Sequence, residues 1–297
     1  MLFRSLVLGG GPAGLECART LGKRGYQAVL LESRRELGGR VILEALLPGL
    51  SEWRRVIDWR LTQIEKTKNV SIYPGSPMTA KDILEVGFAH VILATGAKWR
   101  GDGVGRSLWR PILGYQLPHV FTPDDLMKGQ VPDGNVVIYD DDHYYMGSVL
   151  AELLVREGCQ VSLVTPAPLI SHWSQFTLEQ EHIQSRLMNM GVGLYTQHHL
   201  AAIRENATTL SHAVSGATLD LIADAVVLVT DRLPNDLVYQ ALKPALAEAK
   251  LDSLRVIGDA EAPHIIAQAV FSGHLAAREF ETRPTDSTPF RIERVAL

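Results

Sequence analysis

Residues 6–14 read Leu-Val-Leu-Gly-Gly-Gly-Pro-Ala-Gly. Leu6, Val7 and Leu8 make a short apolar run suited to a buried strand, and Gly9, Gly11 and Gly14 stand in the spacing G-x-G-x-x-G. A helix pattern follows at once through Leu15, Ala18 and Leu21. In that order each glycine has a task. Gly9 allows the tight turn off the strand, Gly11 lets the backbone approach a pyrophosphate, and Gly14 lets helix and strand pack closely. Pro12 and Ala13, between the glycines, belong to the same cofactor-binding loop. The helix N-terminus offers N–H groups and a positive dipole end to the phosphates. A second strand, Ala28 to Leu31, ends in Glu32 and Ser33, where a carboxylate can accept hydrogen bonds from a ribose diol. The stretch predicts a site for an adenine dinucleotide or ADP.

Working outward, Glu36-Leu37-Gly38-Gly39-Arg40 forms a loop whose paired glycines let the chain pass close to a nucleotide, with Arg40 in reach of a phosphate. His90 to Leu93 is a buried strand running into Ala94-Thr95-Gly96, small residues that let backbone sit beside a bound dinucleotide. A second strand–helix–strand unit follows, with strands Val136 to Tyr139 and Gln160 to Val164 and a helix from Ser148 to Glu157. Val226 to Val229 closes it. From Leu233 the chain is expected to return to the first domain, adding a strand at Leu254 to Ile257, then Gly258-Asp259 and a helix across Ile266, Val270, Ala276 and Ala277. The fold class is therefore α/β, with two Rossmann-like dinucleotide-binding domains and the second inserted into the first. Residues 1–130 and 233–297 make the first domain and 131–232 the second.

Smaller signals add detail. Ser51 reads as the N-cap of a helix over residues 52–66, and Thr177-Leu-Glu-Gln180 as a capping box. Thr122 to Asp125 starts a small capped helix, residues 193–220 alternate like short antiparallel strands, and the residues after Arg283 are polar and expected to fray.

Bulk properties narrow the function. The 297 residues carry a net charge of −4, which gives no basic footprint for nucleic acid. The two cysteines, Cys17 and Cys159, form no C-x-x-C, so neither a dithiol nor an iron–sulfur ligand set is expected, and a cytoplasmic setting fits. No apolar stretch approaches a membrane span. With Met1 to Ser5 alone before the first strand, no signal peptide is expected. The chain reads either as a compact two-domain flavoprotein or as the nucleotide-binding part of something longer.

The second glycine loop is missing. After the strand the chain reads Asp140-Asp141-Asp142-His143-Tyr144-Tyr145-Met146-Gly147. A pyrophosphate about 5 Å from one carboxylate meets a repulsion of about 3 kcal/mol at an effective dielectric of about 20. A helix dipole offers below about 1 kcal/mol at an exposed site. Tyr144 and Tyr145 also fill the space that glycine leaves open, so NAD(P)H is not expected to bind here in the usual way. The bland alternative is a solvated acidic turn. The closing strand agrees with the first reading, because Asp231 stands where a flavoprotein reductase would carry a glycine.

Together these stretches resemble the C-terminal nucleotide-binding half of the trimethylamine dehydrogenase family, which includes dimethylamine, dimethylglycine-type and histamine dehydrogenases and is related to dienoyl-CoA reductases. The resemblance covers essentially the whole chain. It rests on residues 11–19, 36–40, 94–99, 140–147 and 258–263, of which the acidic second loop discriminates most. It implies an FMN and a 4Fe–4S cluster on a preceding barrel that is not in this chain, with electrons leaving to an electron-transferring flavoprotein. It also implies ADP or FAD held by Gly9, Gly11, Gly14, Glu32 and Arg40. Thr95 and Gly96 would line the same cleft, and Asp259 would approach a ribityl or pyrophosphate group.

The sequence shows no catalytic constellation and no metal-ligand set. Adjacent His198 and His199 on a strand point to opposite faces. Two other readings stay open: an autonomous NAD(P)H-dependent FAD oxidoreductase with a divergent second loop, and a non-catalytic docking domain stabilised by bound nucleotide.

Overall fold

The structure, a computed structural model, describes residues 5–281. The described residues divide into two compact units, 5–41 with 54–96 and 234–281, and 42–53 with 97–233.

The first unit grows from the quoted stretch. β1 (Ser5–Leu8) leads through the glycine turn into α1 (Pro12–Lys23), and β2 (Ala28–Leu31) returns parallel to it with Leu6 opposite Val29. Both strands are buried along their whole length, as parallel strands covered on both faces must be. The chain then passes through the short α2 (Arg40–Glu44) into α3 (Arg55–Glu65), β3 (Val70–Tyr73), α4 (Ala80–Val86) and β4 (His90–Leu93). α4 starts on a capping box: Thr79 accepts from the Asp82 amide while Asp82 accepts from the Thr79 amide.

The second unit continues the numbering. It holds β5 (Ala97–Trp99), β6 (Val120–Phe121), α5 (Pro123–Leu126), β7 (Asn135–Asp140), α6 (Met146–Arg156), β8 (Gln160–Val164), α7 (Gln180–Asn189) and β9 (Gly193–Tyr195). An antiparallel meander of β10 (His198–Arg204), β11 (Ala207–His212) and β12 (Thr218–Ile222) precedes the closing strand β13 (Ala225–Val229). Its main sheet is parallel, in the order β6-β13-β7-β8-β9. β14 (Arg232–Pro234) pairs with β5, and the chain goes on through α8 (Leu237–Ala247), β15 (Ser253–Val256) and α9 (Ile266–Arg278). β15 completes the first unit's parallel sheet, whose order is β15-β4-β1-β2-β3.

Side-chain alternation sorts the first core. Leu6, Leu8, Val29, Leu31 and Leu93 face Ile83 of α4 and Leu242 of α8. On α1, Glu16 is buried and takes hydrogen bonds from Arg19 of its own helix, from Arg60 of α3 at 2.9 Å and from His274 of α9 at 3.1 Å. In the second unit Val136, Ile138, Val227 and Val229 pack with Leu150 and Leu154 of α6, and Leu47 and Leu50 join that core.

Three local expectations change. Ser51 makes no N-cap bond but opens a 3-10 turn, Ser51–Arg54, that runs into α3. Thr177 ends another 3-10 segment and bonds Glu179 at 2.6 Å. With Leu178 in the left-handed region, α7 begins only at Gln180, so the capping box does not form. Residues 193–195 extend the parallel sheet, and antiparallel pairing starts at His198.

The domain switches also fall elsewhere than residues 130 and 233 alone. Residues 97–130 cluster with the second unit because β6 pairs with β13, and 42–53 do so because Leu47 and Leu50 lie in its core. The residues after Arg283 lie outside those described.

Candidate functional site

In the first unit the predicted residues gather at the carboxyl ends of β1, β2, β4 and β15. Gly9 has φ +112°, and a Cβ there would stand 2.2 Å from the Ala94 carbonyl oxygen. A Cβ on Gly14 would stand 1.9 Å from the Gly9 carbonyl oxygen, so α1 sits directly on the turn. Gly11 is the N-cap of α1, Pro12 is its first residue, and no side chain caps the helix. Its first N–H groups are thus available to an anion.

A Cβ on Gly11 would meet only the Gly39 Cα, in ordinary van der Waals contact at 3.8 Å. Gly39 takes φ +61°, and the Gly38 amide bonds the Gly10 carbonyl at 2.8 Å, which pins the Gly38-Gly39 loop beside the turn. Arg40 opens α2 directly behind that loop.

Glu32 is buried at the end of β2. Its Oε2 accepts from the Gly10 amide at 2.7 Å, and its Oε1 accepts from the Arg34 amide at 2.9 Å and the Ser33 hydroxyl at 3.1 Å. A carboxylate offers about four acceptor sites, which leaves capacity for a ribose hydroxyl.

Thr95 and Gly96 lie at the same edge, but the Thr95 hydroxyl donates to the Asn235 carbonyl at 2.6 Å, and the Gly96 carbonyl takes the Asn235 amide at 2.8 Å. Both residues are thus engaged by Asn235. Asp259 sits in a 3-10 turn after β15, where its Oδ1 accepts from the His264 amide at 3.1 Å.

The corresponding turn of the second unit is built differently. Asp140 is the last residue of β7, and a Cβ on Gly147 would lie 2.7 Å from its carboxyl carbon. Asp140 Oδ1 accepts from the amides of Asp142 at 3.1 Å and His143 at 3.0 Å, so the turn engages these two amides with a carboxyl group of its own. The other oxygen, Oδ2, is buried without a hydrogen-bond partner, and burial pushes the carboxyl up to about 7.

Burial works against the Asp141 charge as well. The bonds from His143 and Ser107 outweigh it and hold this acid below the usual range. His143, in spite of its burial, is raised by Asp141 and Asp140. Asp140 and Asp141 are fully buried, so the turn is not the solvated acidic loop the sequence also allowed. Burial also keeps Asp140 from carrying a full charge at neutral pH, so the turn does not present three full charges.

Residues 3–108 match the family model of pyridine nucleotide-disulphide oxidoreductases, and residues 121–218 match the second alpha/beta domain of the OYE-like proteins. Dimethylamine dehydrogenase of Hyphomicrobium sp. (strain x) is 36% identical over 98% of this chain and 44% of its own length. Histamine dehydrogenase from Rhizobium sp. 4-9 superposes with a TM-score of 0.93 at 42% identity, covering 99% of this chain and 46% of that one. The 6-hydroxypseudooxynicotine amine oxidase from Pseudomonas geniculata N1 gives 0.92 at 43% identity, over 94% and 42%.

The chain belongs to the trimethylamine and dimethylamine dehydrogenase family.

It corresponds to the nucleotide-binding half of that family of flavin oxidoreductases, and it spans less than half the length of these relatives. Among the described residues no helix is long and apolar enough to cross a membrane, and no group of three or more His, Cys, Asp or Glu side chains could hold a metal. His198 stands opposite His212 across a strand pair and away from His199.

The sequence reading missed three residues that shape the first site of this family member. Gly10 supplies the amide to Glu32, Leu37 packs against it, and Asn235 ties down the Thr95-Gly96 turn. Only Asn235 had a signal, a Pro-Asn pair at the return to the first unit, and its partner lies 140 residues away.

Proposed function

We propose that this chain is the ADP- or FAD-binding module of a flavin-dependent amine dehydrogenase or demethylase. The reading rests above all on the uncapped N-terminus of α1 behind the glycine turn, whose Gly10 amide is bonded to the buried Glu32. Gly9, Gly11, Pro12, Ala13 and Gly14 would cradle the pyrophosphate, with Gly39 and Arg40 closing over it. Glu32, oriented by Ser33, would take the ribose, Thr95 and Gly96 would shape the wall, and Asp259 would reach a ribityl or pyrophosphate oxygen. A bound FAD would supply flavin redox chemistry, whereas a bound ADP would hold the fold only. What the chain's own residues do is bind and orient: the α1 amides meet phosphate charge, and Glu32 accepts from hydroxyl groups.

In the whole protein, FMN and a 4Fe–4S cluster would belong to a barrel domain or subunit outside this chain, and electrons would pass to an electron-transferring flavoprotein. Direct reduction by NAD(P)H through the second unit is disfavoured, since the amides of Asp142 and His143 already hold the Asp140 carboxyl.

The test begins with the purified chain, its visible spectrum, and chromatography of whatever nucleotide denaturation releases. ADP or FAD in stoichiometric amount is the expected result, and a chain that releases neither and binds neither would overturn the reading. Steady-state NADPH oxidation with an artificial acceptor would instead favour an autonomous reductase.

A further inference from the structure

In an open parallel sheet, ligands settle outside the carboxyl ends of the strands where the strand order reverses. In the second unit that point lies between β7 and β13, because β8 and β9 extend the sheet on one side and β6 on the other. A segment of the unit's own chain lies there. A Cβ on Gly105 would stand 2.5 Å from Asp141 Oδ2, just past the end of β7, and 3.1 Å from the Cβ of Thr230, just past the end of β13. A side chain at this position would have to push Asp141 and Thr230 aside.

The neighbouring residues fasten the segment. The Ser107 amide donates to Asp141 Oδ2 at 2.8 Å and its hydroxyl to Oδ1 at 2.7 Å. His143 Nε2 lies 3.1 Å from the same Oδ1, so the acid is held from two sides. The Arg106 guanidinium lies over the Trp173 ring at 4.1 Å, with Asp142 at 3.9 Å. Both ends are anchored too. The Asp102 carboxylate bonds Arg100, its carbonyl takes the Ile112 amide, and the Gly105 amide closes a turn on the Leu108 carbonyl.

We propose that residues 102–108 are a latched strap that occupies the switch-point crevice of the second unit from within, with Asp141 as the latch. The crevice is then closed by a device distinct from the Asp140 carboxyl that holds the turn after β7, and a dinucleotide would have to expel the strap as well as displace Asp140. This does not depend on which nucleotide the first unit holds.

The strap can be tested on the full chain by limited trypsin digestion, following cleavage after Arg106 by mass spectrometry, together with hydrogen exchange at the Ser107 amide. Two variants act by different means. Gly105→Leu adds bulk against Asp141, and Asp141→Asn keeps the shape but removes the charge and replaces one of the two acceptor oxygens with an amide donor, so the Ser107 amide, the Ser107 hydroxyl and His143 can no longer all donate to it. Each is expected to speed cleavage after Arg106 and exchange at Ser107 at least tenfold, while the exchange of β7 and β8 core amides stays at the wild-type rate. Rapid cleavage after Arg106 in the wild-type chain would overturn the proposal. So would unchanged rates in both variants, or an increase matched by equal loosening of β7 and β8.

Discussion

Asp140 shows how one side chain changes the meaning of a turn. Its carboxyl is pushed up to about 7 by burial, so the folded chain keeps a proton that the unfolded chain releases near its ordinary value of 3.8. The native state binds more protons in that window, and stability therefore falls as pH rises from about 4 to about 7, with the deficit complete above it. His143 acts in the same direction, since a raised histidine stabilises below its unfolded value and loses that contribution as pH rises through the folded one. Asp140→Asn keeps an acceptor for the two amides and removes the titration. Its melting temperature relative to wild type is expected to be more favourable at pH 8 than at pH 5, and an equal gap at both would contradict the assignment. Glu32 offers a second check. Glu32→Gln removes a charged acceptor, and hydrogen bonds to charged groups contribute about 1.5–3 kcal/mol, so ADP affinity measured by calorimetry should fall roughly 10- to 100-fold.

At the scale of elements, α1 carries both the site and a large share of the first unit's cohesion. Its N-terminal end sits on the turn through Gly14, and a Cβ there would overlap the Gly9 carbonyl oxygen at 1.9 Å. Gly14→Ala is expected to lift the helix from β1, weakening ADP binding at least tenfold and lowering the melting temperature, both readable in one thermal-shift series. Glu16, nearer the middle, gathers Arg19, Arg60 and His274 from three helices. Burial disfavours its charge, but these partners outweigh that and hold its carboxyl below 4.5, so their contribution is present above that value and disappears as pH falls. Glu16→Ala strands two largely buried arginines, a change expected to cost about 3–5 kcal/mol in urea unfolding at neutral pH. The strands and the glycine turn were legible because each is local: apolar runs, spaced glycines and a terminal acid all fall within some 30 residues. The Glu16 cluster, the Asn235 tie and the strap on Asp141 were not, because each joins residues whose partners no periodicity announces. The failed cap at Thr177 has a related cause, since a left-handed Leu178 shifted the helix start by two residues.

Across the whole molecule, a nucleotide bound only to the folded state stabilises it by about 2.7 kcal/mol at 100 times its dissociation constant. ADP is expected to slow amide exchange in β1, β2 and β4 and to leave β7 and β13 unchanged, and hydrogen-exchange mass spectrometry on the full chain reads both outcomes together. The first unit draws on three separate stretches of chain, and its sheet lacks an edge until β15 arrives at residues 253–256. A ribosome therefore delivers the whole of the second unit before the last strand of the first exists, and the glycine turn must wait for more than 240 residues of synthesis beyond it. The hydrogen bond between the Gly96 carbonyl and the Asn235 amide closes that long excursion at its neck. For gene surgery, the neck marks where a short turn could replace residues 97–234, provided Leu47 and Leu50, which would lose their core, are made polar in the same step.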